Sequence, residues 1–190
     1  MADAVRVNTE EMAQVAPTLR AGQRVLLSGV CYTSRDAAHK RITQMLDKGE
    51  RPPYDLQGAA IYYAGPTPAP EGLPIGSCGP TTSGRMDAYA PRLLALGLAG
   101  MAGKGARSEA VVQAMREHTA VYFAAAGGAG AAMAACVESA AVVCYEDLGS
   151  EAVRRLLVRD MPLTVAIDCT GKNLYEEGPA AYLAACGQSE

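Results

Sequence analysis

Three cations stand where side chains commonly meet ligands. Arg35 follows an apolar run, Arg24 to Val30, and precedes a helical pattern. Arg85 lies in GSCGPTTSGRMD, residues 76–87, and Lys104 sits between Gly103 and Gly105. Strand-to-helix junctions of α/β sheets hold ligands, and glycines let a backbone approach one closely. The planar fork of arginine suits a carboxylate or a phosphate. If these junctions converge, Arg35, Arg85 and Lys104 form a clamp for two carboxylates, with the hydroxyls of Thr81 and Thr82 between them. A small dicarboxylic acid suits that clamp, because bidentate contacts fix its orientation; a phosphate ester fits as well. Each feature also has a plainer reading. Residues 76–87 read as a Gly-rich turn and helix cap with a solvated arginine, and Arg35 reads as a salt-bridged surface residue. His39, in the first turn of the next helix, is expected to make a structural hydrogen bond rather than to transfer protons.

The elements around these residues follow from hydrophobic period and punctuation. Thr81, Thr82 and Ser83 are placed to cap a helix with apolar positions Met86, Tyr89 or Ala90, Leu93 and Leu96. The N-terminus of such a helix would attract an anion. Short apolar runs predict strands at Arg24–Val30, Ala59–Ala64, within 97–103, and at Thr119–Ala124, Ala141–Tyr145 and Pro162–Asp168. Asp36 is expected to cap a helix whose buried face is Ala38, Ile42, Met45 and Leu46. Further helices are predicted from Ser108 to about residue 117, over 127–140, from Gly149 to Leu157, and briefly around Tyr182. Residues 5–20 read as a peripheral strand or arm. Pro66, Pro68, Pro70 and Pro74 stiffen the approach to the Gly-rich motif. Alternating strands and helices predict a layered α/β domain with a largely parallel sheet.

Composition narrows the function classes. The chain has 190 residues, 49% hydrophobic and 19% charged, as expected for one globular domain over 1–190. A formal charge of −3 gives no reason to expect nucleic acid or an anionic membrane as partner. No apolar run is long enough for a bilayer and no secretory signal is visible, so the expected location is the cytoplasm. The cysteines at 31, 78, 136, 144, 169 and 186 form no CxxC pair, and the default is free thiols. Two histidines are too few for a histidine-based metal site. A P-loop, a dinucleotide fingerprint and a nucleophile elbow are all missing. The clamp therefore calls for a reactive centre supplied from elsewhere.

The stretches YTSRDAAHKRI, LQGAAIYYAGPTP, GSCGPTTSGRMD, MAGKG, AVYFAAAGGAGA, YEDLGSEAV and PLTVAIDCTGKNLY occur in this order over most of residues 22–176. Together they resemble the beta subunit, or C-terminal domain, of iron–sulfur hydro-lyases of the class I fumarase and L(+)-tartrate dehydratase type. The resemblance implies a three-layer swivelling β/β/α domain with a mostly parallel central sheet. It also implies reversible addition or removal of water on a C4 dicarboxylate, either fumarate to L-malate or L-tartrate to oxaloacetate. The [4Fe–4S] cluster would be bound by a partner alpha subunit, so no residue here is expected to ligate metal. Arg35 of the SRDAAH stretch, Arg85 and Lys104 would hold substrate, with Thr82 beside them. Thr81 would transfer a proton together with an aspartate of the other subunit, and Arg85 and Lys104 would share in catalysis. The implied assembly is a hetero-oligomer, with a homodimer as the form open to the isolated chain. The competing reading is a non-catalytic dicarboxylate- or anion-binding module without a cluster partner.

Overall fold

The apolar runs become strands by pairing with neighbours, on both edges except for the run at 141–145, which pairs on one. The computed structural model describes residues 4–187. In chain order the elements are β1 (Val5–Asn8), α1 (Met12–Val15), β2 (Arg24–Thr33), α2 (Asp36–Asp47), β3 (Ala60–Tyr62), α3 (Ala90–Leu94), β4 (Gly100–Gly103), α4 (Glu109–Glu117), β5 (Val121–Ala124), α5 (Gly130–Ala135), β6 (Val137–Cys144), β7 (Val153–Ile167) and α6 (Leu174–Gly187). Strands β1 to β5 lie side by side and parallel. β7 is antiparallel to β2, β5 and β6. Because β7 pairs with β2 on one edge and β5 on the other, the sheet closes on itself from β2 to β5 and back. The fold is α/β with a mixed, partly closed sheet, and the expectation of a largely parallel sheet holds only for β1 to β5.

Alternation along the strands builds two cores. Val25, Leu27, Tyr62, Ala102, Phe123, Leu156 and Val165 fill the space enclosed by the sheet. Their neighbours Ile61, Tyr63, Met101 and Tyr122 point the other way, against Ala38 and Ile42 of α2, Leu93 and Leu94 of α3, and Val111 and Met115 of α4. Both sets are almost entirely removed from water, so burial on the two faces, rather than intrinsic propensity, holds these short strands.

Four expectations are corrected. The helix predicted for Gly149–Leu157 is replaced by a 3₁₀ stretch, Glu146–Glu151, and the start of the fifteen-residue β7. Here the open edge of β2 decides: Arg154 and Leu157 pair with Thr33 and Val30. The motif helix does not start at residue 83. Ser83–Met86 is a 3₁₀ turn without a side-chain cap from Thr82, and α3 spans only Ala90–Leu94. Pro91 in the first turn of α3 sets its start, while the amide of Ser83 is taken by the Lys104 carbonyl. The anion site argued from a helix N-terminus is therefore not present at the motif. Asp36 lies in the first turn of α2, and Arg35 occupies the N-cap position. The helix expected over 127–140 is only the six residues of α5, because β6 begins at Val137. Among the described residues no helix is long and apolar enough to cross a membrane.

Candidate active site

Parallel strands end on one side of a sheet, so the loops that leave β2, β3 and β4 emerge together. The motif segment wedges between two of them. Pro80 bridges Ala64, just past β3, and Thr82 bridges Lys104, just past β4. Thr81 N donates to Tyr63 O at 2.7 Å, and Lys104 N donates to Thr81 O at 3.3 Å. The Thr81 backbone is thus held on both sides. Arg85 follows in the 3₁₀ turn, its amide reaching Thr82 O at 3.4 Å. Thr82, Arg85 and Lys104 are exposed and Thr81 is half-buried. Among the described residues neither Arg85 nor Lys104 forms an ion pair.

Arg35 reaches the same edge from the turn between β2 and α2. Ser34 N donates to Tyr62 O at 3.3 Å and keeps that turn against β3. The guanidinium lies across Gly65, where a Cβ would meet Arg35 Nη1 at 2.8 Å. Its Nη2 stands 3.2 Å from Glu151 Oε1, and its Nε is buried without a hydrogen-bond partner. Arg35 is thus salt-bridged, to Glu151 and, through Nε at 3.8 Å, to Asp36.

His39 sits directly beneath. It is fully buried, with Nδ1 2.9 Å from Ser34 Oγ and 3.0 Å from Arg35 O. Burial is the main cause that pushes its pKa down to about 4, so the ring is neutral near pH 7. Nδ1–H then donates to the Arg35 carbonyl and fixes the turn that presents Arg35.

A second set of buried polar groups underlies Arg85 and Lys104. Asp87 Oδ1 accepts from Arg107 Nε at 2.7 Å, and Oδ2 accepts from Ser108 N at 2.6 Å. Ser83 Oγ lies 2.8 Å from the Tyr122 hydroxyl, which donates to Gly105 O at 2.9 Å. Sequence reading assigned no role to Asp87, Arg107, Tyr122, Gly65 or Glu151. A signal existed for the first two: an acid two places after Arg85 and a base three places after Lys104. For Glu151 there was none, because only the fold brings it to Arg35.

The donors present do not fit an iron–sulfur cluster. Among the described residues no three of His, Cys, Asp or Glu gather to hold a metal ion. Cys31 and Cys78 are buried thiols, both pushed up to about 12 mainly by burial, and so are poor ligands. The edge instead carries two guanidinium groups, an ammonium and two hydroxyls, on the turn after β2, the motif segment and the loop after β4.

Comparison with known proteins bears on what that edge serves. The family model of the fumarase C-terminus matches residues 1–178. The chain is 37% identical over 158 residues to fumarate hydratase 2 of Leishmania major, covering 82% of this chain and 28% of that protein. It is 38% identical over 156 residues to the aerobic class I fumarate hydratase of Escherichia coli (strain K12), covering 81% and 28%. Against a protein named putative L(+)-tartrate dehydratase subunit beta, from Methanocaldococcus jannaschii, identity is 37% over 165 residues, covering 84% and 85%. The chain thus spans under a third of the length of those fumarate hydratases and most of the tartrate dehydratase subunit. With a family model matched over nearly its whole length, the chain belongs to the fumarase C-terminus family.

Proposed function

We propose that this chain is the small, beta subunit of a two-subunit hydro-lyase acting on a C4 dicarboxylate, fumarate or L-tartrate. The observation that carries the reading is the polar edge itself. Arg35, Thr81, Thr82, Arg85 and Lys104 lie on segments at the ends of parallel strands, and three of the five stand open to solvent. Cations aimed at a substrate gain most when water is excluded, and this edge has no cover of its own among the described residues. A partner alpha subunit seated there would complete the site. It would also hold the [4Fe–4S] cluster, which such enzymes use as a Lewis acid for a substrate hydroxyl. On this reading the mixed sheet and its two cores are those of a three-layer swivelling β/β/α domain. The chain works in the cytoplasm, where free cysteines are stable.

In this site Arg35 and Arg85 bind the substrate carboxylates by paired hydrogen bonds, and Lys104 adds a third positive charge, with Thr82 beside it. Thr81 moves the proton at the carbon next to the departing or arriving hydroxyl. A threonine hydroxyl is a weak base by itself, so it needs a carboxylate from the partner and the cations around it. The rigid Thr81 backbone, bonded to Tyr63 and Lys104, supplies the orientation such a transfer requires.

The test is an anaerobic assay of fumarate loss and malate appearance, and of tartrate loss, with this chain alone and with a reconstituted alpha partner. Activity only in the mixture supports the proposal. Saturable dicarboxylate binding by the chain, with no turnover in the mixture, would replace it by the non-catalytic binding module.

A further inference from the structure

We propose that the Tyr122 hydroxyl and the Asp87–Arg107 ion pair form a buried brace that sets Arg85 against Lys104, which makes Tyr122, Asp87 and Arg107 positioning residues. The inference rests on the preceding reading of Arg85 and Lys104 as substrate-binding cations. Those two cations belong to different segments, residues 83–87 and 103–108, and each segment is gripped on both sides of its cation.

On the near side, Ser83 N donates to Lys104 O at 2.9 Å. The Ser83 hydroxyl packs where a Cβ on Gly103 would be 2.1 Å away, so only glycine allows the approach. Burial pushes the Tyr122 phenol up, and it stays protonated. Its single proton goes to Gly105 O, so Ser83 Oγ must donate to the phenol oxygen. One hydroxyl from β5 therefore ties the motif turn and the Lys104 loop together.

On the far side, the Arg107 side chain is 0% exposed. It lies between the rings of Tyr63 and Tyr122, 5.2 and 5.1 Å from their centroids. Asp87 accepts from both Arg107 Nε and Ser108 N, so the last residue of the motif is locked to the start of α4. A buried ion pair is a weak source of stability, since desolvation opposes the attraction. What it supplies here is direction: Arg85 and Lys104 are the exposed cations between the two grips.

The test uses Tyr122→Phe, which keeps the ring on Arg107 and removes only the hydroxyl, in the chain assembled with its alpha partner. Ile42→Val is the control, a buried methyl deletion in the same core outside the brace. The expected result is a rise in KM of about tenfold for Tyr122→Phe, since small misplacement of a binding group is costly. A KM unchanged from that of Ile42→Val overturns the brace. Amide hydrogen exchange of the isolated full chain supplies the second measurement: Ser83 and Lys104 amides exchange faster in Tyr122→Phe. If the wild-type assembly turns over no dicarboxylate, the hydro-lyase reading falls by itself. The brace is then judged on exchange alone, where unchanged protection overturns it.

Discussion

The buried His39 makes the stability of this chain fall in mild acid. Its ordinary value is 6.5, and in the fold it is pushed down to about 4, mainly by burial. Arg107 adds to the depression, while Asp36 and the Arg35 carbonyl oppose it. Between those two pH values the unfolded chain binds a proton that the folded chain refuses. Stability therefore rises with pH across the window, is fully present above about 6.5, and is lost as pH falls toward about 4. The full difference corresponds to roughly 3 kcal/mol, and the part lost between pH 7 and pH 4.5 is roughly 2 kcal/mol. That is a large share of a typical stability of about 5–15 kcal/mol. The assay is urea unfolding followed by circular dichroism at several pH values, for wild type and for His39→Gln, which cannot titrate. The variant starts less stable, because its contact with the Arg35 carbonyl is poorer, but its pH profile is flatter by that amount. The carboxylates of Asp147 and Asp168 are held below 3.8, so their contributions are lost only at lower pH, outside the window. Parallel profiles for the two proteins would falsify the reasoning that His39 is buried neutral.

Arg85→Ala is expected to weaken dicarboxylate binding in the assembled enzyme by about 2–5 kcal/mol, seen as a raised KM. Its thermal unfolding should be unchanged, since Arg85 is exposed and has no ion pair among the described residues; an unaltered KM removes it from the clamp. Thr81→Val should leave KM close to wild type while turnover collapses, and full activity would remove Thr81 from proton transfer. Gly65→Ala brings a Cβ to 2.8 Å from Arg35 Nη1 and 3.2 Å from the Ser150 carbonyl, so the guanidinium must shift. A raised KM with a small loss of stability is expected, and wild-type kinetics would show that Arg35 takes no part in binding.

The strands that were legible in the sequence are short apolar runs ending at glycine or polar residues, as at Arg24 and Ala59. β7 was not legible as a whole. Its first half carries Arg154 and Arg155 beside Leu156 and Leu157, a pattern that a helix accepts as readily. Asp160, at a φ of 49°, then shifts the phase, so Leu156 and Val158 alternate inward in one register and Met161 and Leu163 in the next. The motif after Gly79 misled in the opposite sense. Its hydroxyls look like a helix cap, but its backbone groups are spent on Tyr63 and Lys104.

What the sequence determined by itself is local: which residues carry charge or hydroxyl, which turns lack a Cβ, and which runs need burial. These properties belong to single residues and their near neighbours, and the family's motif order travels with them. Only the tertiary structure decided that the loops after β2, β3 and β4 share one edge, that Glu151 meets Arg35, and that Tyr122 reaches beneath Ser83. Those contacts join distant segments, and their energy appears only after the chain has closed the loops between them. No local pattern of residue types records that closure, so the cations could be named from the sequence while the shared edge of their segments could not.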